Sequence, residues 1–194
     1  MGVEFEYKFR ATPEQLTVLQ SEYPGEDRHY AMETTYYDTP SGALSQRHYT
    51  LRCRRENHIS VCTLKTPAPG AGRNEHELVS SDIHLALPEL CARSGIEDLP
   101  VLLEEGIVPV CGARFTRIAK TIQLDGLTLE MALDQGVLLG GGREHPLCEV
   151  EVELKEGTPE ELYAFAARLA LQWGLIPETR SKYYRAKCLA SGQL

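Results

Sequence analysis

Charged side chains recur at every second residue in three stretches of this chain: Glu4-Phe5-Glu6-Tyr7-Lys8, Leu51-Arg52-Cys53-Arg54 and Glu149-Val150-Glu151-Val152-Glu153-Leu154-Lys155. Successive side chains of a β-strand point to opposite faces, so each stretch carries one charged face and one apolar face. One such face is rich in carboxylates and another in guanidinium groups. This combination suits a polyanion bound together with a divalent metal, the carboxylates taking the metal and the cations the phosphates.

The same phase argument extends to other strands. In residues 127–134, Leu127, Leu129, Met131 and Leu133 fill the apolar phase and leave Glu130 and Asp134 on the opposite face. Thr63 shares a face with Lys65, and Glu75 with Glu77. Gathered round one interior, the acids are Glu4, Glu6, Glu75, Glu130, Asp134, Glu149, Glu151 and Glu153, facing the cations Lys8, Arg52, Arg54, Lys65, Arg117 and Lys182. Mutual neutralisation makes a water-filled lumen of this kind tolerable, whereas unpaired buried charge would cost roughly several kcal/mol per ion.

The elements that must hold these residues can be read in order. Residues 3–10 alternate as a strand. Thr12, Pro13 and Glu14 supply the N-cap, first-turn proline and acidic first turn of a helix to about Tyr23. Strands are expected over residues 33–38, 49–55, 59–66 and 73–79, with a turn at 38–42, a short helical turn or loop leading to Tyr49 and a flexible loop at 67–72. Short helical pieces are expected at 86–94 and 99–105. Long strands follow at 113–124, 127–134 and 148–155, the first two joined by the hairpin turn Asp125-Gly126. Thr158 and Pro159 open a helix to Trp173 whose Leu162, Phe165, Leu169 and Trp173 form a core stripe. A closing helix over 181–189 carries Lys182 and Arg185. Many antiparallel strands with polar inner faces and a few helices outside describe an α+β protein whose sheet closes into a barrel or tunnel.

With 194 residues, 42% of them hydrophobic, the chain fits one domain spanning 1–194. Its net charge of -8 argues against nucleic acid or a membrane surface as the main partner. The six cysteines form no CxxC pair, so neither a zinc site nor a disulfide framework is indicated, and no thiol reads as catalytic. The six histidines read as surface residues. The absence of a basic-then-apolar start and of any membrane-length apolar run leads to the expectation of a soluble, cytoplasmic protein.

Glu4-x-Glu6-x-Lys8, Tyr36-Tyr37-Asp38-Thr39-Pro40, Leu51-Arg52-x-Arg54, Thr63-Leu64-Lys65, Arg117, Ala132-Leu133-Asp134, Glu149-x-Glu151-x-Glu153-Leu154 and Ser181-Lys182 resemble, in this order and nearly end to end, the CYTH superfamily of triphosphate tunnel metalloenzymes. The branch most similar in character is the bacterial inorganic triphosphatases. The resemblance implies an eight-stranded antiparallel β tunnel with helices packed outside. It implies that Lys8, Arg52, Arg54, Lys65, Arg117 and Lys182 grip the triphosphate and carry catalysis, with Glu75 beside them. Glu4, Glu6, Glu130, Asp134, Glu149 and Glu151 would hold Mg²⁺ or Mn²⁺, and Glu153 is placed with them. The implied reaction is metal-dependent hydrolysis of a triphosphate. No aromatic sandwich for a base or thiazole is evident, which favours inorganic tripolyphosphate, cleaved to pyrophosphate and phosphate. The alternatives are a class IV adenylate cyclase, a thiamine triphosphatase and a non-catalytic module that binds triphosphate or polyphosphate. The chain's own residues leave oligomeric state open; the resemblance suggests a homodimer.

Overall fold

The computed structural model describes residues 2–69 and 72–193, so two residues of the loop read over 67–72 lie outside the described residues. The elements are β1 (Gly2–Glu4), β2 (Glu6–Arg10), α1 (Pro13–Glu22), β3 (Arg28–Asp38), α2 (Ala43–Gln46), β4 (Thr50–Glu56), β5 (Ile59–Pro67), β6 (Arg73–Val79), α3 (Ile83–Ser94), α4 (Leu99–Leu102), β7 (Val108–Leu124), β8 (Leu127–Gly140), β9 (Arg143–Glu156), α5 (Pro159–Trp173), β10 (Ile176–Pro177) and α6 (Lys182–Ser191).

All the paired strands are antiparallel, in the order β1-β6-β5-β4-β3-β7-β8-β9-β2-β10. The ends of this order are joined by the chain itself, because β1 and β2 are separated by Phe5 alone, whose carbonyl accepts the Leu154 N–H at 2.9 Å. Counted as one strand bent at Phe5, residues 2–10 sit between β6 and β9 and close eight long strands round a lumen. The two-residue β10 adds to β2. Expectation and structure agree on the tunnel; the strands β3, β7, β8 and β9 run longer than the alternation alone marked.

The outer faces are apolar and carry helices. Thr12 caps α1 in a reciprocal box with Gln15, and Thr158 does the same for α5 with Glu161. Both helices press on β2, β8 and β9 through a core that includes Leu16, Leu19, Leu129, Met131, Val150, Val152, Leu162 and Phe165. A second core, with Leu51, Leu64, Ile83, Leu90 and Leu99, packs α3 and α4 on β4 and β5.

Helix α6 departs from the expectation that the helices lie outside. Along β7 the lumen-facing residues run Ala119, Arg117, Phe115, Ala113; along β9 they run Glu153, Glu151, Glu149, Leu147. The inner face thus turns from charged to apolar, and α6 fills the apolar end, with Ala186 and Leu189 packed on Phe115, Leu138 and Leu147. Its close approach requires glycine at the β8–β9 turn: a Cβ on Gly140 would stand 2.4 Å from the Ala186 carbonyl oxygen.

Candidate functional site

A cavity of about 610 Å³ lies inside the curved sheet, lined by Glu4, Glu6, Lys8, Arg52, Arg54, Lys65, Glu75, Arg117, Glu130, Glu151, Glu153 and Lys182 among others. Every cation named from the sequence is there, as are all the acids except Asp134 and Glu149. Those two share the lumen-facing phase but are fully buried, 0% exposed, where α6 meets the sheet. Strand phase gives the face of a side chain and not its depth, and depth here is decided by the helix that closes that end.

The wall formed by β7, β8, β9 and α6 is densely paired. Arg117 on β7 forks onto Asp134 of the adjacent strand, with both bonds at 2.7 Å, and reaches Glu151 at 2.5 Å. Lys182 enters from the first turn of α6, where Ser181 caps the helix by accepting the Tyr184 N–H. Its ammonium lies 2.7 Å from Asp134 and 2.9 Å from Glu151 and also bonds Glu149. Oxygens of these three acids lie within 4.8 Å of one another, so Lys182 stands where their charge converges. Arg185, one turn along, neutralises Glu149 from the other side. Burial disfavours the charge on Lys182, but Asp134, Glu149 and Glu151 outweigh it and raise the ammonium above its ordinary value. Against a like opposing burial, Lys182 and Arg117 hold Glu151 well below the usual carboxylate range, whereas burial and the neighbouring Glu151 leave Glu149 raised.

On the facing wall, β4, β5 and β6, the guanidinium groups of Arg52 and Arg54 are loosely paired. Arg52 meets Glu75 at 3.4 Å and Glu77 at 3.9 Å. Arg54, 6% exposed, donates to the Thr34 hydroxyl at 3.1 Å, and among the described residues the carboxylate within 4 Å of it is Glu56, at 3.8 Å. Burial, then repulsion from Arg52 and Arg117, lowers its guanidinium to about 10. Lys65 contacts Glu4 at 2.5 Å and Glu75 at 3.2 Å. The two walls meet over Phe115, whose ring centre is 5.9 Å from Arg54, 5.8 Å from Arg117 and 5.1 Å from Lys182. A ring face attracts cations and so offsets part of their mutual repulsion.

A third group is acidic. The register aligns Glu130 of β8 with Glu153 of β9 and Glu153 with Glu6 of β2, a row of carboxylates across three strands, with Glu4 close by. Like charges directly opposite one another destabilise a sheet. Each acid has one single-contact cation: Lys8 for Glu6 at 2.5 Å, Arg28 for Glu130 at 2.6 Å and Lys155 for Glu153 at 2.7 Å. Burial, reinforced by Glu4 and Glu130, raises the Glu153 carboxyl despite Lys155. Hard oxygen donors crowded together at the lumen, with the charge on Glu153 disfavoured, fit a divalent cation. The Asp134, Glu149, Glu151 cluster has the same donors but already holds an ammonium.

Sequence reasoning passed over several lining residues. Lys155 lay in the alternating run and Arg73 shares the phase of Glu75 and Glu77, so strand phase could have found both. Thr179, Ser181 and Tyr183 enter from the α6 end, where no alternation operates. His76, read as a surface residue, is buried at 6% exposure within β6. The six cysteines are free; burial first, with Cys53 adjoining, pushes the Cys62 thiol up to about 12. No helix among the described residues is long and apolar enough to cross a membrane.

Comparison with known proteins places this arrangement. The inorganic triphosphatase of Haemophilus influenzae is 28% identical over 172 residues, which are 87% of this chain and 48% of that protein. The chain spans about half the length of the curated relatives it matches. Among solved structures, a Hippeastrum protein described as having a dominant triphosphatase activity superposes with a TM-score of 0.69 at 21% identity, covering 100% of this chain and 97% of the other. The PH1819 protein of Pyrococcus horikoshii OT3 gives 0.65 at 22% identity, with 94% and 97% covered. The model of the CYTH domain matches residues 2–186, and the chain belongs to the CYTH family.

Proposed function

We propose that the tunnel hydrolyses a triphosphate, with inorganic tripolyphosphate as substrate and pyrophosphate and orthophosphate as products. The observation that carries this reading is the under-neutralised pair of guanidinium groups: Arg52 and Arg54 meet carboxylates at 3.4–3.9 Å, and Arg54, the more buried, has its charge disfavoured. A run of phosphoryl oxygens supplies the missing negative charge, and guanidinium groups bind it in a fixed fork. The name borne by the Haemophilus influenzae relative supports the same chemistry.

Lys8, Arg117 and Lys182 complete the grip from the opposite side. Their carboxylates hold them in place before substrate arrives, so that little reorganisation is needed as charge develops on the leaving pyrophosphate. Glu4, Glu6, Glu130 and Glu153 would hold Mg²⁺ or Mn²⁺, with Glu151 at the border of the two groups. When bound, the ion supplies charge neutralisation on the phosphates and a water of lowered pKa. Water attacks the terminal phosphorus in line, the bond to the bridging oxygen breaks, and pyrophosphate leaves with that oxygen.

The test is a metal-dependent phosphate-release assay across tripolyphosphate, thiamine triphosphate, ATP and GTP. Orthophosphate from tripolyphosphate in preference to the others supports the reading. Cyclic AMP and pyrophosphate from ATP would replace it with a cyclase, and tight tripolyphosphate binding without release would replace it with a binding module.

A further inference from the structure

The motif Tyr36-Tyr37-Asp38-Thr39-Pro40 belongs to neither the cation set nor the acid set, yet its third residue carries a buried charge. Asp38 ends β3 and is 1% exposed. Its Oδ1 accepts the N–H groups of Thr39 at 2.9 Å and Leu44 at 3.0 Å, which fixes the turn into α2. Its Oδ2 accepts from two residues of α6, the Tyr183 hydroxyl at 3.0 Å and the Lys187 ammonium at 3.2 Å. Burial pushes this carboxyl up, but donors from Ser45, Lys187, Tyr183 and the Thr39 N–H outweigh it and hold it below the usual range. Tyr36 joins the same grip, its ring 5.2 Å from that of Tyr183.

Tyr183 is the residue next to Lys182. The far end of α6 is fixed separately, by the shelf at Gly140 and by Arg143, which donates to the Leu189 carbonyl at 2.5 Å. Those contacts fix how far the helix penetrates. They leave its rotation about its own axis to side chains nearer the first turn, and the ion pairs of Lys182 depend on that rotation without dictating it, since an ammonium has no preferred plane.

We propose that Asp38 is a positioning residue for the tunnel: through Tyr183 and Lys187 it sets the rotation of α6 and hence where the Lys182 ammonium stands among Asp134, Glu149 and Glu151. The proposal rests on the triphosphate reading for its kinetic consequence but not for its structural one, and the experiment separates the two.

The kinetic arm is a double-mutant cycle with Asp38→Asn and Lys182→Ala, measuring kcat and KM for tripolyphosphate alongside thermal midpoints. Asp38→Asn alone should lower kcat/KM by about 10- to 100-fold, as losses of outer partners of a site do. In the Lys182→Ala background the same change should cost less than about twofold, because the residue it positions is gone. A general loss of fold would lower the thermal midpoint by a similar amount in both backgrounds and would not cancel in this way. The full loss persisting in Lys182→Ala, or wild-type kinetics in Asp38→Asn, would overturn the proposal. Where Asp38→Asn does not fold, Tyr183→Phe and Lys187→Met each remove one donor and should each give part of the loss.

The second arm needs no substrate: hydrogen exchange of the α6 amides should speed up by about tenfold or more in Asp38→Asn, with α5 unchanged. Unchanged exchange in α6 rejects the proposal even if tripolyphosphate proves not to be the substrate. Failure of wild-type phosphate release with faster α6 exchange in the variant rejects only the triphosphate reading.

Discussion

The two walls of the tunnel contain similar numbers of charges and treat them differently. On β7, β8, β9 and α6 Arg117 and Lys182 each sit within hydrogen-bond reach of two or more carboxylates, and the acids Asp134 and Glu149 are sealed from solvent. On β4, β5 and β6 the guanidinium contacts stretch to 3.4–3.9 Å and Arg54 is crowded by two other guanidinium groups. Dense pairing makes the first wall part of the fold. Incomplete pairing of the guanidinium groups on the second is the basis for the proposed triphosphate site. The closeness of neutralisation, more than the presence of charge, separates cations that the fold itself holds in place from guanidinium groups whose counter-charge is incomplete.

The sharpest way to break this comparison is to remove one cation from each wall. Lys182→Ala takes one of two cations from each of three carboxylates, two of them fully buried, and should cost up to about 3–5 kcal/mol of stability, the range for breaking a buried ion pair. Turnover of tripolyphosphate should fall by at least about 10²-fold. Urea unfolding and phosphate release measure the two effects. Arg52→Ala should lower turnover by a similar factor of about 10² while leaving the urea midpoint unchanged or higher, because it relieves the repulsion on Arg54. Equal destabilisation by both variants would erase the distinction.

The acidic row tests the same contrast more gently. Glu6→Gln should raise the Mg²⁺ concentration needed for half-maximal phosphate release by roughly tenfold, and an unshifted titration would remove Glu6 from the metal set. The smallest effect concerns acid. Arg180 holds the Glu178 carboxyl at about 2, below its ordinary 4.5. The stability it contributes is present above 4.5 and is lost as pH falls through about 2, so Glu178→Gln should flatten stability against pH over that window. An identical pH curve for the variant would show that this pair contributes nothing.

Much of this was legible in the sequence because a period of two is a direct record of strand faces. The runs at Glu4–Lys8, Arg52–Arg54 and Glu149–Glu153 specified strands and lumen together, and capping residues at Thr12 and Thr158 marked the helices on the outer face. What stayed hidden depends on relations that period cannot express. The start of β3 at Arg28 and the continuation of β8 to Gly140 lack clean alternation, since both lie where the inner face turns apolar or the strand runs to the rim. The seating of α6 inside the tunnel rests on an apolar lumen patch from Phe115, Leu138 and Leu147 that no single strand reveals. Asp134 and Glu149 therefore looked like lumen acids and proved to be buried partners of that helix.

The closure at Phe5 carries a consequence for how the molecule assembles. The chain's first strand pairs on one side with β6 and on the other with β9, at the opposite end of the sequence. Residues 6–10 cannot pair with β9 until residues 149–153 have been synthesised, and that seam is the one that brings the acidic row together. Contacts so distant in sequence are slow to form. A substitution that delays that seam should slow the recovery of metal binding on refolding well before it alters the stability of the finished protein.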